Sequence, residues 1–229
     1  YNARFYEGRA VIGHIAGRMT QSNVVGYIAS FPIPEVIMGI NSAYIHARRV
    51  NPDVEFSVVW AYTWFDPAKE ADAAKALIAN GADIIMQHTD SPAPMQAAEN
   101  AGVKAFGQAS DMIQFAPNAQ LTAIMDNWAP YYIERTRAVL DGTWASSDSW
   151  GGIAVGEVEM APYTNLPDDV KAAAEKMAAD IASGAHHPFA GPIKDRDGTE
   201  RIAAGAVADD GAILSMDWFV EGVEGDLPK

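Results

Sequence analysis

Five stretches along the first half of the chain each combine rings or hydrogen-bonding groups with turn residues. They are Ser30-Phe31-Pro32, Tyr62-Thr63-Trp64-Phe65-Asp66, His88-Thr89-Asp90-Ser91, Gln108-Ala109-Ser110-Asp111 and Asp126-Asn127-Trp128. Rings stack on flat molecules, while amides and carboxylates accept or donate along a molecular edge. No nucleophile with an ordered base stands among them. The chemistry they suggest is recognition of a flat, polar, hydrogen-bonding molecule rather than bond-making. Trp64 and Phe65 are the candidates for stacking; covering the sheet edge is the alternative role for each. Trp60, earlier in the same strand, reads as core.

Other groups of reactive residues point to nothing more. Asp195, Asp197 and Gly198 resemble a calcium loop, but Ile193 and Ala204 stand where an EF-hand needs ligands, and Asp-Gly favours a tight turn between strands. His186-His187 reads as a solvated loop, since adjacent residues face apart. His14, His46 and His88 are scattered, and only His88 sits at a strand end. The chain has no Gly-x-x-x-x-Gly-Lys-Ser/Thr loop, no Gly-x-Gly-x-x-Gly after a strand and no Gly-x-Ser-x-Gly elbow. Nucleotide hydrolysis, dinucleotide redox chemistry and acyl transfer are unsupported, and no cofactor is implied.

The elements that must position the five stretches follow from periodicity. Residues 1–20 carry Phe5, Ala10, Ile12, Ile15, Ala16 and Met19 at helical spacing. Strands are expected at 24–29, 55–62, 82–87, 103–107 and 121–125, alternating with helices at about 35–50 (after the turn at 31–34), 67–80 and 92–101. Short apolar strands alternating with helices imply βαβ units and a doubly wound parallel sheet, in the order 2-1-3-4-5. In such sheets ligands lie beyond the carboxyl ends of the strands, where the five stretches fall. The second half predicts a helix at 131–140, a strand at 153–160, an Ala-rich helix at 168–183, a hairpin through Asp195–Gly198 and a short helix at 210–214.

Composition narrows the class. The 229 residues carry 16 Lys and Arg against 30 Asp and Glu, a formal charge of −14. Phosphate neutralisation needs the opposite balance, which argues against a nucleic-acid partner. Cysteine is absent, which removes disulfides, Cys-ligated zinc and thiol nucleophiles. At 49% hydrophobic and 20% charged residues the chain can bury a core, and no apolar run reaches the roughly 18 residues of a membrane span.

Four separated stretches also carry a resemblance: Gly26 to Val36 (GYIASFPIPEV), Trp64 to Lys69 (WFDPAK), Gly191 to Asp195 (GPIKD) and Leu214 to Val223 (LSMDWFVEGV). In this order they resemble the basic membrane protein family, substrate-binding components of ABC transporters related to the purine-nucleoside receptor lipoprotein. The resemblance implies a type I periplasmic-binding-protein fold of two lobes closing on a ligand. It also implies that the first lobe is largely absent. Residues 1–21 would then be a remnant of that lobe, 22–126 the second lobe, 127–150 a segment returning to the first, and 151–229 second lobe with hinge and tail. The helix near residues 1–20 is accordingly expected to pack away from the second lobe.

By the same resemblance, Trp64 stands where family members stack an aromatic on a purine, and Asp90 lies on a loop that approaches the ligand. Relatives that bind nucleosides often read Gly-Val-Asp-Ser-Asp where this chain has Gly107-Gln108-Ala109-Ser110-Asp111, and their first aspartate is expected to hold ribose hydroxyls. Ala109 cannot, whereas Gln108 offers a donor and an acceptor to a base edge. The expectation is an extracytoplasmic receptor of an ABC importer that binds a purine base, adenine first, through Trp64, Asp90 and Gln108. Phe65 joins them as a stacking candidate. Asp126 and Trp128, where a strand would cross between lobes, either touch ligand or form the hinge. A permease is the implied partner, and the periplasm or cell surface, with or without a lipid anchor, the implied location. The alternatives are a nucleoside receptor of the same family and a small-molecule enzyme on a flavodoxin-like scaffold.

Overall fold

The computed structural model describes residues 1–228. In chain order the elements are β1 (Asn2–Ala3), α1 (Phe5–Met19), β2 (Val24–Ala29), α2 (Pro34–Val50), β3 (Glu55–Trp60), α3 (Pro67–Ala79), β4 (Ile84–Gln87), α4 (Ala93–Ala101), β5 (Lys104–Ala109) and β6 (Gln120–Asp126). They continue with α5 (Ala129–Leu140), β7 (Trp150–Gly151), β8 (Val158–Met160), α6 (Asp168–Ala182), β9 (Ile193–Lys194), β10 (Glu200–Ile202) and α7 (Asp210–Leu214).

The central sheet runs β3-β2-β4-β5-β6-β8. Its first five strands are parallel, in the expected 2-1-3-4-5 order, and β8 adds an antiparallel edge against β6. One face is covered by α1 and α2 around Tyr27, Met86, Phe106 and Ile124, the other by α3 and α4 around Ile28, Ile85 and Ala105. Strand residues alternate between these faces with period two. The chain is an α/β fold with a mostly parallel central sheet.

Two expectations are corrected. The helix near residues 1–20 does not pack away from this lobe. In α1, Ala10, Val11, Ile12, Ile15 and Ala16 are wholly buried, and the helix lies along α2. Gly13 and Gly17, one turn apart, face the backbone of Ala43 and Ala47 so closely that any side chain there would collide with α2. A helix buried on nearly every side belongs inside a core, not on its margin. The strand expected over 153–160 is interrupted: Ile153–Val155 forms a tight helical turn, and Gly156, at φ 73°, takes the left-handed conformation before β8 begins.

The remaining second-half elements fall where periodicity places them. Asp195 accepts bonds from the amides of Asp197 and Thr199 and from Arg201 Nε, which closes the β9–β10 hairpin. No residue of α5 is buried. No helix among the described residues is long and apolar enough to cross a membrane.

Candidate functional site

The carboxyl edge of the parallel strands is built from side chains of one parity. Tyr27 near the end of β2, His88 just after β4, Gln108 near the end of β5 and Asp126 at the end of β6 share the sheet face covered by α1 and α2. On four adjacent strands that face is apolar below and polar at the rim. Arg9, reaching up from α1, lies beneath the row and is 1% exposed. Its Nη2 donates to the Gln87 carbonyl at 2.9 Å and to Gln108 Oε1 at 2.6 Å. The guanidinium sits 5.0 Å from the Phe5 ring centroid and 5.2 Å from that of Tyr27.

The rim is aromatic on one side. Trp64 lies 5.4 Å from Phe31 and 6.1 Å from His88 between ring centroids, and Phe31 also meets the ring of Tyr62. The loop that bears Trp64 is fixed by a reciprocal cap at the start of α3. Asp66 Oδ1 accepts from the Lys69 amide, and Glu70 Oε1 accepts from the Asp66 amide. The other oxygen of buried Glu70 takes the amide and hydroxyl of Ser91, and the Asp90 amide donates to the Trp64 carbonyl at 2.8 Å. One buried carboxylate thus joins the Trp64 loop to the Asp90 loop.

Electrostatics in the row are set by burial. Asp126 is pushed up to about 6, by desolvation first and then by the charge of Glu35; Arg9 opposes the shift. Desolvation also raises Glu35, at the start of α2, and Asp90. His88 is held well below its ordinary value by burial and then by Arg9, so its ring is neutral at neutral pH. Its Nε2 stands 3.9 Å from Glu35 Oε1, beyond hydrogen-bond distance. Arg9 Nε, Tyr27 OH, Ser30 Oγ, His88 Nδ1, Thr89 Oγ1 and Asp126 Oδ1 are buried without a hydrogen-bond partner among the described residues. Native interiors contain few such atoms, and here they crowd one strand edge.

Four of the residues read from sequence are brought to this edge: Trp64, Asp90, Gln108 and Asp126. Gln108 is not free to offer both poles, because Arg9 occupies its carbonyl. Phe65 is 63% exposed and makes no ring–ring contact among the described residues. Trp128 packs instead with Tyr1 and Tyr131, at 5.2 and 6.4 Å between centroids. Sequence reasoning missed Arg9, Glu35 and Tyr27. The detectable signal was an arginine set mid-way in the small and apolar residues of α1, whose other arginine, Arg18, stands in the last turn. The His186-His187 pair is not a freely solvated loop either, since His186 meets buried His46. No group of three or more His, Asp or Glu among the described residues could hold a metal ion.

The carboxyl edge thus sets an aromatic rim beside buried polar side chains, several of them without a hydrogen-bond partner among the described residues. Residues 2–185 match the family described as ABC transporter substrate-binding protein PnrA-like. The chain belongs to that family.

Its members are substrate-binding proteins, not enzymes. The chain is 58% identical over 229 residues to a purine-binding protein of Brucella abortus, covering all of this chain and 65% of that protein. It is 34% identical over 230 residues, with 100% and 56% covered, to an ABC transporter protein of Haloferax volcanii whose name assigns it glucose provisionally. Among solved structures, an ABC transporter solute-binding protein of Aeropyrum pernix K1 superposes with a TM-score of 0.69 at 15% identity, covering 92% of this chain and 67% of that one. That likeness supports the fold alone. The chain spans 65% and 56% of the lengths of the two curated relatives.

Proposed function

We propose that the protein is the extracytoplasmic receptor of an ABC importer, and that its ligand is a purine base, adenine ahead of guanine or a nucleoside. One observation carries the reading: the Trp64 indole stands at the rim directly beside a row of polar side chains on four adjacent strands. A base stacked on such a ring gains about 1–3 kcal/mol, whichever base it is, so selection falls to the floor. There the carboxylates of Asp90 and Asp126 accept and the Gln108 amide donates, which suits a base edge of mixed polarity. Ala109 supplies no carboxylate for ribose hydroxyls. The purine named for the Brucella relative supports the same ligand class.

In this reading the exposed segment 127–150 faces the first lobe, and closure of the two lobes buries the ligand. A permease receives it. The protein stands in the periplasm or at the cell surface, with or without a lipid anchor. Mass spectrometry of material released from the denatured full-length protein, with calorimetry against adenine, adenosine, guanine and glucose, tests the proposal. Released adenine, bound more tightly than the other three, is the expected result. Glucose or adenosine as the tightest ligand overturns it.

A further inference from the structure

Gln108 ends in a carbonyl and an NH2 group, and only one of them can face Arg9. A guanidinium has donors and no acceptor, so the atom 2.6 Å from Arg9 Nη2 is the carbonyl oxygen. Arg9 cannot turn away. It is 1% exposed, lies between the Phe5 and Tyr27 rings, and spends the same nitrogen on the Gln87 carbonyl. No Asp or Glu lies within salt-bridge distance of it among the described residues, so Gln108 is its closest side-chain acceptor. The amide nitrogen of Gln108, by contrast, has no hydrogen-bond partner among the described residues and is not one of the sealed atoms. It is the pole left open at the carboxyl edge of the sheet.

We propose that Arg9 is a positioning residue that locks the Gln108 amide, so that this point of the floor presents a donor and admits only a ligand with a hydrogen-bond acceptor there. This rests on the purine reading and adds to it a requirement on one edge of the base. Two residues further along on the adjacent strand β6, Asp126 presents the opposite polarity on the same face. Polarity therefore alternates across the floor, donor over β5 and acceptor over β6. A ligand with an acceptor opposite each would leave a charged oxygen unpaired.

The lock has a test that needs no ligand. Gln108→Glu replaces the locked amide by a carboxylate facing a buried cation, so the protein should keep or raise its Tm. In an Arg9→Met background the same change buries an unpaired carboxylate, and Tm should fall sharply. An equal effect of Gln108→Glu in both backgrounds overturns the lock. The selectivity half uses adenine and its 1-, 3- and 7-deaza analogues, each lacking one ring acceptor, on the full-length protein. The parent should discriminate against one of them by about 5- to 160-fold, the effect of one unsatisfied buried group. Gln108→Glu should bind adenine more weakly by a similar factor and lose that discrimination. If it keeps the parent's affinity and its pattern against the analogues, Gln108 is not the reading group and the proposal fails. A parent that binds no purine overturns the proposed function instead, and the stability comparison alone then decides whether Arg9 holds the amide.

Discussion

His46 and His186 face each other nitrogen to nitrogen, with 2.8 Å between their Nε2 atoms. His46 Nδ1 lies 2.7 Å from the Ser42 carbonyl and must donate to it. In the neutral ring that leaves Nε2 as acceptor, so His186 donates across the pair. The contact ties the segment after α6 to the buried face of α2, at the end of the lobe remote from the cleft. A proton on His46 Nε2 would set two N–H groups against each other.

Acid should therefore weaken the fold through His46. Burial and then the charge of Arg49 depress its pKa to about 3. The unfolded ring titrates near its ordinary value of about 6.5. Its contribution is fully present above that value and is lost as pH falls towards 3, because only the unfolded chain takes up the proton. His88, also held low by burial, adds to the slope. Thermal melts from pH 7.5 to pH 5 should show Tm falling, and His46→Gln should melt with a shallower dependence. An unchanged slope in that variant would mean the His46 pair stays intact when protonated.

Asp126 works in the opposite sense. Its carboxyl is raised to about 6 by desolvation and by Glu35, above the unfolded value, so the folded state holds the proton more tightly. That contribution to stability is full below about pH 4 and is lost as pH rises through 6. Asp126→Asn should raise Tm at pH 7.5, leave it little changed at pH 4, and weaken adenine binding. A lower Tm at pH 7.5 would show that Asp126 has a partner that offsets its burial.

Trp64 offers a test of the rim. It is 39% exposed and meets Phe31 and His88 only through ring contacts, so removing it should cost little stability. Trp64→Ala should bind adenine about 1–3 kcal/mol more weakly in calorimetry. Phe65→Ala, at a position 63% exposed with no ring partner among the described residues, should bind within error of the parent. The reverse ranking would place the stack on Phe65.

What the sequence could and could not reveal follows from range. The strand order and the edge residues were legible because βαβ alternation and strand ends are local patterns. Trp64, Asp90, Gln108 and Asp126 each announce themselves within a few residues. The burial of α1 was not legible in that way, because Gly13 and Gly17 gain meaning only against Ala43 and Ala47 of another helix. Arg9 was hidden for the same reason: its partner in the floor lies 99 positions along the chain. Gln108 could be named, but which pole it presents depends on Arg9.

Ala109 carries the last prediction. It stands at the end of β5 with φ 57°, a left-handed conformation that alanine adopts only at a cost of about 1–2 kcal/mol. Aspartate tolerates that conformation better, since its short polar side chain can bond locally. Ala109→Asp should therefore fold at least as stably as the parent. It also places a carboxylate, able to accept from two hydroxyls, beside the floor that Gln108 helps to form. If the missing carboxylate is what disfavours ribose, the variant should bind adenosine more tightly than the parent does, by about 1.5–3 kcal/mol for bonds to a charged acceptor, with adenine little affected. Calorimetry of both ligands on both proteins measures the ratio. An adenosine-to-adenine ratio that stays put in a folded Ala109→Asp protein would show that Ala109 does not set the choice between base and nucleoside.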